Sequence, residues 1–288
     1  MSLRSSESVV RALRHNGYNV VTYDTRDGLD GIASRLPGVD VVFPVLHGKG
    51  GEDGTVQEIL ESYNIPFVGT GSEASRLCMD KTETKKVLEE YGVPTPRWEK
   101  VDAQRFAASP LSRRPYVLKA IDGGSSIDTL IVRDPASQAG LPRLFNNHRT
   151  LLLEELIEGK ELTVSILGSD ALPVIEIIPP KDKEFDYENK YNGETQELCP
   201  PQHVSQPLQE QAQSLAEQTH TACNARHLSR VDIMMSANGE FYVLEINTIP
   251  GMTDQSLYPK AANAAGIPMK NLVERLVDMA LHGVKDTY

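Results

Sequence analysis

The sequence predicts an α/β fold in its first part and an α+β fold in the remainder. Strand, helix and strand patterns alternate over the first quarter of the chain, as they do in parallel sheets covered by helices. The run VDVVFPVLHG (residues 39–48) is almost continuously apolar, which is typical of a strand buried on both faces. Later in the chain, short strand patterns separated by turn residues dominate.

Composition excludes several classes of function. The 288-residue chain has a formal net charge of −11, which argues against a nucleic-acid surface, since binding to a duplex requires a basic face. The acidic balance still permits a local basic pocket for an anionic small molecule. Its apolar runs are shorter than the roughly 20 residues of a membrane helix. The three cysteines are scattered without metal-ligand spacing, which argues against zinc and a disulfide framework. We expect no nucleic-acid or membrane partner, and a reducing cytoplasm as the working compartment.

The first part of the chain should contain two helices and three strands. The N-terminal segment places Val9, Val10 and Leu13 on one helical face and ends at Gly17. Residues 55–63 form a second predicted helix. The predicted strands are YNVVTYD (18–24), VDVVFPVLHG and PFVGTG (66–71). The loop HGKGGEDG (47–54) follows the carboxyl end of a strand, where ligands bind in such sheets.

From Asp80 onward the pattern changes to a helix followed by short strands. DKTETKKVLEEYG is a predicted helix with Asp80 as its N-cap and Gly92 just beyond its C-terminus. Further helices are predicted at residues 208–225 and 269–282, and residues 181–202 form a long loop. The predicted strands are YVLKAI, TLIVRD, LLLEELI, ELTVSILG, LPVIEIIPP, SRVDIMM and EFYVLEIN.

The last two strands carry polar residues at matched positions. A two-residue turn at Asn238-Gly239 pairs Asp232 with Glu245 and Arg230 with Asn247 on one face of the hairpin. Opposed carboxylates repel each other, and a divalent cation between them removes that cost. Oxygen ligands alone favour Mg²⁺ or Mn²⁺ over zinc. The other face would be core and would hold Val231, Ile233, Tyr242, Leu244 and Ile246.

An exposed hairpin with a surface ion pair between Arg230 and Asp232 explains the same residues without a metal. The segment that follows, NTIPGMTDQSLYP, favours the metal site. There Gly251 can present a backbone N–H and Ser256 a hydroxyl beside the cluster. Metal ligands, an arginine and an amide donor together stabilise negative charge on a phosphate or a tetrahedral oxyanion.

The loop DGGSSID (122–128) is a candidate phosphate site. Its backbone N–H groups and hydroxyls can surround phosphate oxygens, and Lys119 and Lys81 would add positive charge. The sequence contains no P-loop motif. For DGGSSID taken alone, an ordinary hairpin loop is the alternative interpretation.

Taken in order, these motifs resemble the D-alanine–D-alanine ligases of the ATP-grasp superfamily. The matching stretches span nearly the whole chain and are HGKGGEDGTVQ, MDKTETK, the VLK…GGSS loop, LLLEELIEGKELTVSILG, FDYENKY, SRVDIMM and LEINTIPGMTDQSLYP. The resemblance implies an ATP-grasp fold, with an N-terminal α/β domain (1–75) and two subdomains (76–158 and 159–288) that clasp ATP. It implies a homodimer that joins two D-alanines through an acyl phosphate for peptidoglycan precursor synthesis.

The resemblance also assigns roles to individual residues. The ligands of two Mg²⁺ or Mn²⁺ ions would be Asp232, Glu245 and Asn247. The residues around ATP would be Lys81, Lys119, Glu154, Glu155, Ile157 and Glu161. Arg230 and the Gly251 amide would stabilise the oxyanion, and Tyr191, on a loop that closes over the site, would hydrogen-bond Ser125. His47 and Glu52 would line the region of the first D-alanine. The second D-alanine would be held by Lys190, Ser256 and Leu257.

Two departures from the family pattern bear on activity. The family opens with a strand, a Gly-Gly loop and an amine-binding glutamate that have no counterpart before Leu3. We therefore expect a truncated or rebuilt N-terminal sheet with unpaired strand edges. Asp128 stands where the family has a glycine, which adds negative charge near the phosphates and restricts φ. Two alternatives to an active D-alanine ligase follow: an impaired nucleotide-binding fragment, and an ATP-grasp ligase of other amino-acid specificity.

Overall fold

Two antiparallel sheets form the centre of the computed structural model, which describes residues 2–123, 128–136, 139–180 and 195–283. The first sheet has the order β1-β4-β2-β3 and contains β1 (Trp98–Val101), β2 (Tyr116–Ala120), β3 (Thr129–Val132) and β4 (Leu151–Glu155). The second has the order β10-β9-β5-β7-β8, with β6 beside β5. Its strands are β5 (Gly159–Leu167), β6 (Asp170–Ala171), β7 (Ile175–Ile178), β8 (Gln196–Leu198), β9 (Leu228–Ser236) and β10 (Phe241–Asn247). All the strands predicted after residue 110 are confirmed.

The helices flank these sheets and are α1 (Ser2–His15), α2 (Thr55–Ser62), α3 (Ser72–Met79), α4 (Lys81–Glu90), α5 (Ala103–Ala108), α6 (Leu141–Asn147), α7 (Gln206–Ala222), α8 (Leu257–Ala264) and α9 (Met269–His282). The predictions of α1, α2, α4, α7 and α9 are confirmed. Asp80 caps α4, accepting from the N–H of Thr82 at 2.8 Å and of Glu83 at 3.1 Å. The four helices that were not predicted are short, with six to eight residues. No helix in the described ranges has the length and apolar content needed to cross a bilayer.

The first part of the chain contains less sheet than predicted. Residues 18–24 form no strand, and the segments 39–48 and 66–71 share one parallel bridge, between Val42 and Phe67. The prediction of three strands is therefore wrong for the described residues, because a strand needs a ladder of bonded neighbours and only Val42 has them. The side chains still alternate: Val41 and Phe43 pack against one core cluster, and Val42 against another. The apolar pattern therefore predicts which side chains are buried, but it does not predict which segments pair through backbone hydrogen bonds.

The β9–β10 hairpin has a different turn from the predicted one. Ser236 and Glu240 close a three-residue loop, with Ser236 N–H donating to Glu240 O at 2.8 Å. Gly239 takes φ 81°, a left-handed conformation that glycine adopts at low cost. Near the turn, therefore, every pair is offset by one residue from the prediction, as in Val243 opposite Ile233.

A bulge in β10 then cancels that offset. The register shifts between Val243 and Glu245, so that one extra residue stands on β10. Beyond the shift, Glu245 lies opposite Asp232 and Asn247 opposite Arg230, which confirms the predicted pairs although the predicted turn is wrong.

The bulge also changes which residues of β10 face the core. Val231, Ile233 and Ile246 are buried as predicted, but the prediction of Tyr242 and Leu244 as core is wrong, since both are half-buried. Val243 takes their place and is fully buried against the apolar side of α7. The physical reason is the altered register, because a shift of one residue moves a side chain to the opposite face of a sheet.

Two buried histidines lie where the first part of the chain meets the large sheet. His227 accepts a hydrogen bond at Nδ1 from Gly69 N–H at 3.1 Å, and His220 Nδ1 lies 2.7 Å from Ser229 Oγ. Burial lowers the pKa of each imidazole to about 4. For His227 the neighbouring charge of Arg226 adds to that effect.

These histidines predict a loss of stability in mild acid. Their pKa of about 4 in the folded state lies below the roughly 6.5 of an unfolded chain, so protonation favours unfolding. The free energy of unfolding should be constant above pH ~6.5 and fall towards pH 4, by up to roughly 3 kcal/mol for each histidine. Urea unfolding between pH 7.5 and 5 measures this slope, and His220→Gln should make it shallower. The exposed His282 gives the control, His282→Gln, which should leave the slope unchanged; equal slopes in all three proteins would contradict the prediction.

Candidate active site

The central cluster of the site is built on three adjacent strands. Arg230 and Asp232 alternate along β9, while Glu245 and Asn247 stand opposite them on β10. Thr163 faces Asp232 from β5. Because side chains two residues apart share one face of a strand, all five lie on the side of the sheet away from α7.

A buried ion pair anchors this cluster. Arg230 donates from Nε and Nη2 to the two carboxylate oxygens of Asp232, at 2.9 and 2.8 Å. Their side chains are only 16% and 11% exposed, so the pair is not the surface ion pair of the alternative interpretation. Burial alone would lower the pKa of Arg230, but the charge of Asp232 and the bonds to it outweigh burial and raise that pKa. The guanidinium therefore stays charged.

Asp232 has further partners that fix its orientation. Thr163 Oγ1 donates to Oδ1 at 2.7 Å, and Asn247 Nδ2 donates to Oδ2 at 3.2 Å. Because Asn247 donates through its nitrogen, its amide oxygen remains the atom that can serve as a metal ligand. Thr163 was not predicted as a site residue; its position two residues after Glu161 on an alternating strand is the signal that could have identified it.

Lys81, at the start of α4, supplies positive charge to Glu245. Its ammonium lies 3.3 Å from Glu245 Oε2 and donates to Gly123 O at 2.5 Å. Glu52, Lys81, Gly123, Glu245 and Asn247 line one small cavity. The cavity therefore joins the predicted metal ligands to the start of the candidate phosphate loop.

The loop HGKGGEDG brings a carboxylate to the same cavity. Glu52 accepts from Gly48 N–H at 2.5 Å, and burial raises its pKa to about 6 against the opposing charges of Arg230 and Lys81. Gly51 permits the tight loop, because a Cβ there would lie 2.3 Å from Leu46 O.

His47 joins this loop to the segment after β10. Its Nδ1 lies 2.9 Å from Ile249 O, and its Nε2 lies 3.3 Å from Ser5 Oγ on α1. Burial lowers the pKa of His47, so its ring stays neutral near pH 7. These contacts hold the loop HGKGGEDG against α1 and the segment that follows β10.

The four-stranded sheet contributes a second group of charges. Glu154 on β4 is 1% exposed, and its Oε2 lies 2.6 Å from Lys119 Nζ on β2. Burial would raise the pKa of Glu154, but the charges of Lys119 and Lys85 outweigh it and lower that pKa. The charges of Glu154, Glu245 and Glu161 raise the pKa of Lys119 against burial, so this lysine links both sheets electrostatically.

The next residues along the chain form the edge of this region. The Glu155 carboxylate accepts two hydrogen bonds from Arg97, one from Nε at 2.6 Å and one from Nη2 at 2.7 Å. These bonds lower the pKa of Glu155 and direct its carboxylate to the surface. Ile157 is half-buried in the connection between β4 and β5.

The segment after β10 carries the remaining predicted groups. Ser256 stands at the N-cap position of α8, but its Oγ bonds Thr253 rather than the helix: it lies 2.8 Å from Thr253 Oγ1 and accepts from Thr253 N–H at 3.0 Å. Leu257 follows and packs against the core. Gly251 is half-buried, and its N–H has no acceptor among the described residues. Ser125, Lys190 and Tyr191 lie outside those residues.

Two neighbouring side chains offset the negative charge of Asp128. Asp128 itself takes φ 54°, in the left-handed region that the family's glycine would occupy freely. Its carboxylate lies 2.8 Å from His148 Nε2 and 3.4 Å from Arg143 Nη2. These two partners hold the added negative charge beside α6.

The donor set suits a magnesium ion held jointly with a phosphate-bearing substrate. Asp232, Glu245 and Asn247 supply two carboxylates and one amide, all oxygen ligands, and Mg²⁺ usually takes one or two carboxylates with substrate phosphates. Among the described residues, no group of three or more His, Cys, Asp or Glu forms a metal cage. A site shared with phosphate therefore fits these residues better than a protein-only site.

Comparison with protein families identifies two regions of the chain. Residues 29–70 match the family described as D-ala D-ala ligase N-terminus, and residues 87–278 match D-ala D-ala ligase C-terminus. The second match alone covers more than half of the chain.

Individual relatives extend the likeness over nearly the full length. The chain is 39% identical to a D-alanine–D-alanine ligase of Carboxydothermus hydrogenoformans, over 98% of this chain and 94% of the relative. It is 41% identical to that of Syntrophotalea carbinolica, over 96% and 90%. The solved D-alanine–D-alanine ligase of Bacillus anthracis superposes with a TM-score of 0.85 at 33% identity, over 97% of this chain and 92% of that one. Another structure of that enzyme, complexed with ATP, gives a TM-score of 0.83.

Burial of the Glu52 carboxylate should lower the stability of the fold when that group is ionised. With a pKa of about 6 in the folded state, against about 4.5 unfolded, its ionisation costs stability as pH rises through this window. Glu52→Gln should therefore stabilise the fold at pH 7.5 by about 1 kcal/mol, since partial hydration reduces the full effect, and should change nothing at pH 4. Thermal unfolding at both pH values measures the difference.

The matched control is Glu58→Gln on α2, whose carboxylate is 67% exposed. It should show no gain at either pH. A Glu52→Gln protein that is less stable than wild type at pH 7.5, or equally stabilised at pH 4, would contradict the assignment of a buried, costly carboxylate.

Proposed function

The chain belongs to the D-alanine–D-alanine ligase family, and we propose that Arg230, Asp232, Glu245 and Asn247 form its catalytic centre. It has the ATP-grasp fold and is an ATP-dependent ligase that joins two D-alanines for peptidoglycan precursor synthesis. The observation that carries the proposed centre is the buried Arg230–Asp232 pair standing opposite Glu245 and Asn247 on one face of the large sheet.

The reaction has two steps. A carboxylate oxygen of the first D-alanine attacks the γ-phosphorus of ATP, and ADP leaves as the acyl phosphate forms. The amine of the second D-alanine, having given up a proton, then attacks the carbonyl carbon, and inorganic phosphate leaves with the former carboxylate oxygen. Negative charge therefore develops first on the transferred phosphoryl group and then on the carbonyl oxygen.

Cations of this chain are placed to meet both charges. Lys81 and Lys119 reach the site from α4 and β2, and neighbouring carboxylates raise the pKa of Lys119; both lysines would bind ATP phosphates. Arg230, fixed by Asp232, and the Gly251 N–H would stabilise the tetrahedral oxyanion, because preorganised donors do not reorient as charge develops. The residues that would bind the rest of ATP are Glu154, Glu155, Ile157 and Glu161.

Two divalent ions complete the proposed centre. Asp232, Glu245 and Asn247 would hold two Mg²⁺ or Mn²⁺ ions, which when bound neutralise phosphate charge and orient the transferred group. Lys81 lies 3.3 Å from Glu245 Oε2, where its positive charge offsets part of the repulsion between the two opposed carboxylates.

The substrate roles follow the same placement. His47 and Glu52 would line the pocket of the first D-alanine, since Glu52 lines the cavity that holds Glu245. Ser256 and Leu257, at the start of α8, would hold the carboxylate of the second D-alanine together with Lys190. Tyr191 and Ser125 are proposed to close the site.

The wider organisation is proposed on the same basis. We place the domain boundaries at residues 1–75, 76–158 and 159–288; the separation of the small sheet (98–155) from the large one (159–247) supports the second boundary. Family membership supports a homodimer that works in the cytoplasm, with D-alanine and ATP as its substrates and no nucleic-acid or membrane partner.

Phosphate release from ATP and Mg²⁺, with and without D-alanine, tests the proposal. Wild type should release phosphate only with D-alanine. Arg230→Lys should lower kcat on the order of 100-fold, because lysine keeps the charge and loses the two-point geometry. Circular dichroism and the midpoint of thermal unfolding should remain close to those of wild type.

The control is Arg26→Lys, which alters a surface pair of the same spacing, since Arg26 bonds Asp24 through Nε and Nη2. It should leave kcat unchanged. ATP binding without D-alanine-dependent release would instead favour the impaired nucleotide-binding alternative. Release with another amino acid but not D-alanine would favour a ligase of other specificity.

A further inference from the structure

A line of buried polar groups joins the small sheet to the strand that carries the proposed metal ligands. Lys85 on α4 is 1% exposed, and its ammonium lies 2.5 Å from Glu154 Oε1. The same ammonium donates to Thr95 Oγ1 at 2.6 Å, and Thr95 Oγ1 in turn donates to Val243 O at 2.8 Å. One lysine and one hydroxyl thus connect β4 to β10.

At the β4 end, Lys85 fixes the orientation of Glu154. The two carboxylate oxygens of Glu154 are divided, with Oε1 facing Lys85 and Oε2 facing Lys119. Removing one partner from a buried ion pair is costly, because the remaining charge loses its compensation. Lys85 therefore sets how Glu154, and through it Lys119, is presented to the nucleotide.

At the β10 end, Thr95 acts on the residue where the bulge begins. Val243 N–H donates to Pro94 O at 2.8 Å, while Val243 O accepts from Thr95. The register shift lies between Val243 and Glu245. Because the extra residue of a bulge leaves the ladder locally unpaired, β9 alone does not fix the backbone there. The segment 94–95 supplies the missing restraint.

We propose that Lys85 and Thr95 are positioning residues that couple the nucleotide-binding sheet to Glu245. Neither side chain touches a substrate. Lys85 holds Glu154 and Thr95, and Thr95 holds the carbonyl of Val243, so that Glu245 stays in register opposite Asp232. This inference rests on the proposed role of Glu245 as a metal ligand.

The Mg²⁺ dependence of D-alanine-dependent phosphate release tests the coupling. Thr95→Val keeps the shape of the side chain and removes both hydrogen bonds. It should raise the half-saturating Mg²⁺ concentration about five-fold, the equivalent of roughly 1 kcal/mol, because Glu245 is less well held. The Kd for Mn²⁺ in the presence of ADP, measured without turnover by electron paramagnetic resonance, should rise by a similar factor. The KM for D-alanine should remain within about two-fold of wild type, since the hydrogen bonds of the Thr95 hydroxyl involve Lys85 and Val243 rather than the residues proposed to bind D-alanine.

A matched control separates positioning from general destabilisation. Thr219 is also buried, and its Oγ1 donates to Leu215 O at 2.8 Å within α7. Thr219→Val loses a comparable bond away from the site and should leave the Mg²⁺ requirement unchanged. If Thr95→Val and Thr219→Val show the same Mg²⁺ requirement as wild type, the coupling is wrong.

Two further variants make the result decisive. Lys85→Met should raise both the KM for ATP and the half-saturating Mg²⁺ concentration. In the double variant with Thr95→Val, the free-energy change derived from the Mg²⁺ requirement should be smaller than the sum of the two single changes. Full additivity would overturn the coupling. Should Lys85→Met fail to fold, Thr95→Val decides alone. Glu245→Gln tests the underlying role: if it leaves the Mg²⁺ requirement unchanged, the proposed metal site fails, whereas a shift in Glu245→Gln without one in Thr95→Val removes only the positioning role.

Discussion

One extra residue in β10 determines the geometry of the site. Without the shift between Val243 and Glu245, the hairpin register set at the turn would place Leu244 opposite Asp232, and the second carboxylate would face the core. With it, the two carboxylates stand opposite each other on the polar face. A directly opposed pair of like charges is unfavourable in a sheet, so the arrangement needs compensating cations.

Those cations come from different parts of the chain. Arg230 neutralises Asp232 from two residues away on the same strand, and Lys81 approaches Glu245 from the start of α4. Lys119 forms an ion pair with Glu154 on the small sheet. Buried charges are tolerated when they are paired and hydrogen-bonded. The alternation of acid and base across both sheets therefore explains how a site rich in carboxylates can be assembled before any phosphate is bound.

The sequence predicted the cross-strand pairs of the proposed site better than it predicted the turn and the register that produce them. The pairing of Asp232 with Glu245 was inferred from a two-residue turn, while the structure reaches it through a three-residue turn and a bulge. Alternation rules cannot show a bulge, because its stabilising partners, Pro94 and Thr95, come from far along the chain. Lys85 was missed because a lysine on a helix is usually exposed, and the sequence does not show the buried partner that holds this one.

Pairing in the first part of the chain was overpredicted for a related reason. The segments 18–24 and 39–48 have the apolar alternation of strands, and several of their side chains are indeed packed inward. Backbone ladders, however, depend on which segment lies alongside, which the pattern of one segment does not specify. The roles of Ser125, Lys190 and Tyr191 stay predictions that rest on the resemblance.

The most direct test of the central claim is a crystal structure with Mn²⁺ and a non-hydrolysable ATP analogue, with the ions located by anomalous scattering. A metal site shared by the two strands should give anomalous peaks within coordination distance, about 2.0–2.3 Å, of carboxylate oxygens of both Asp232 and Glu245, with Asn247 completing the protein ligands and Arg230 still paired to Asp232. Ions held by the phosphates alone, with Asp232 and Glu245 turned away from each other, would contradict it.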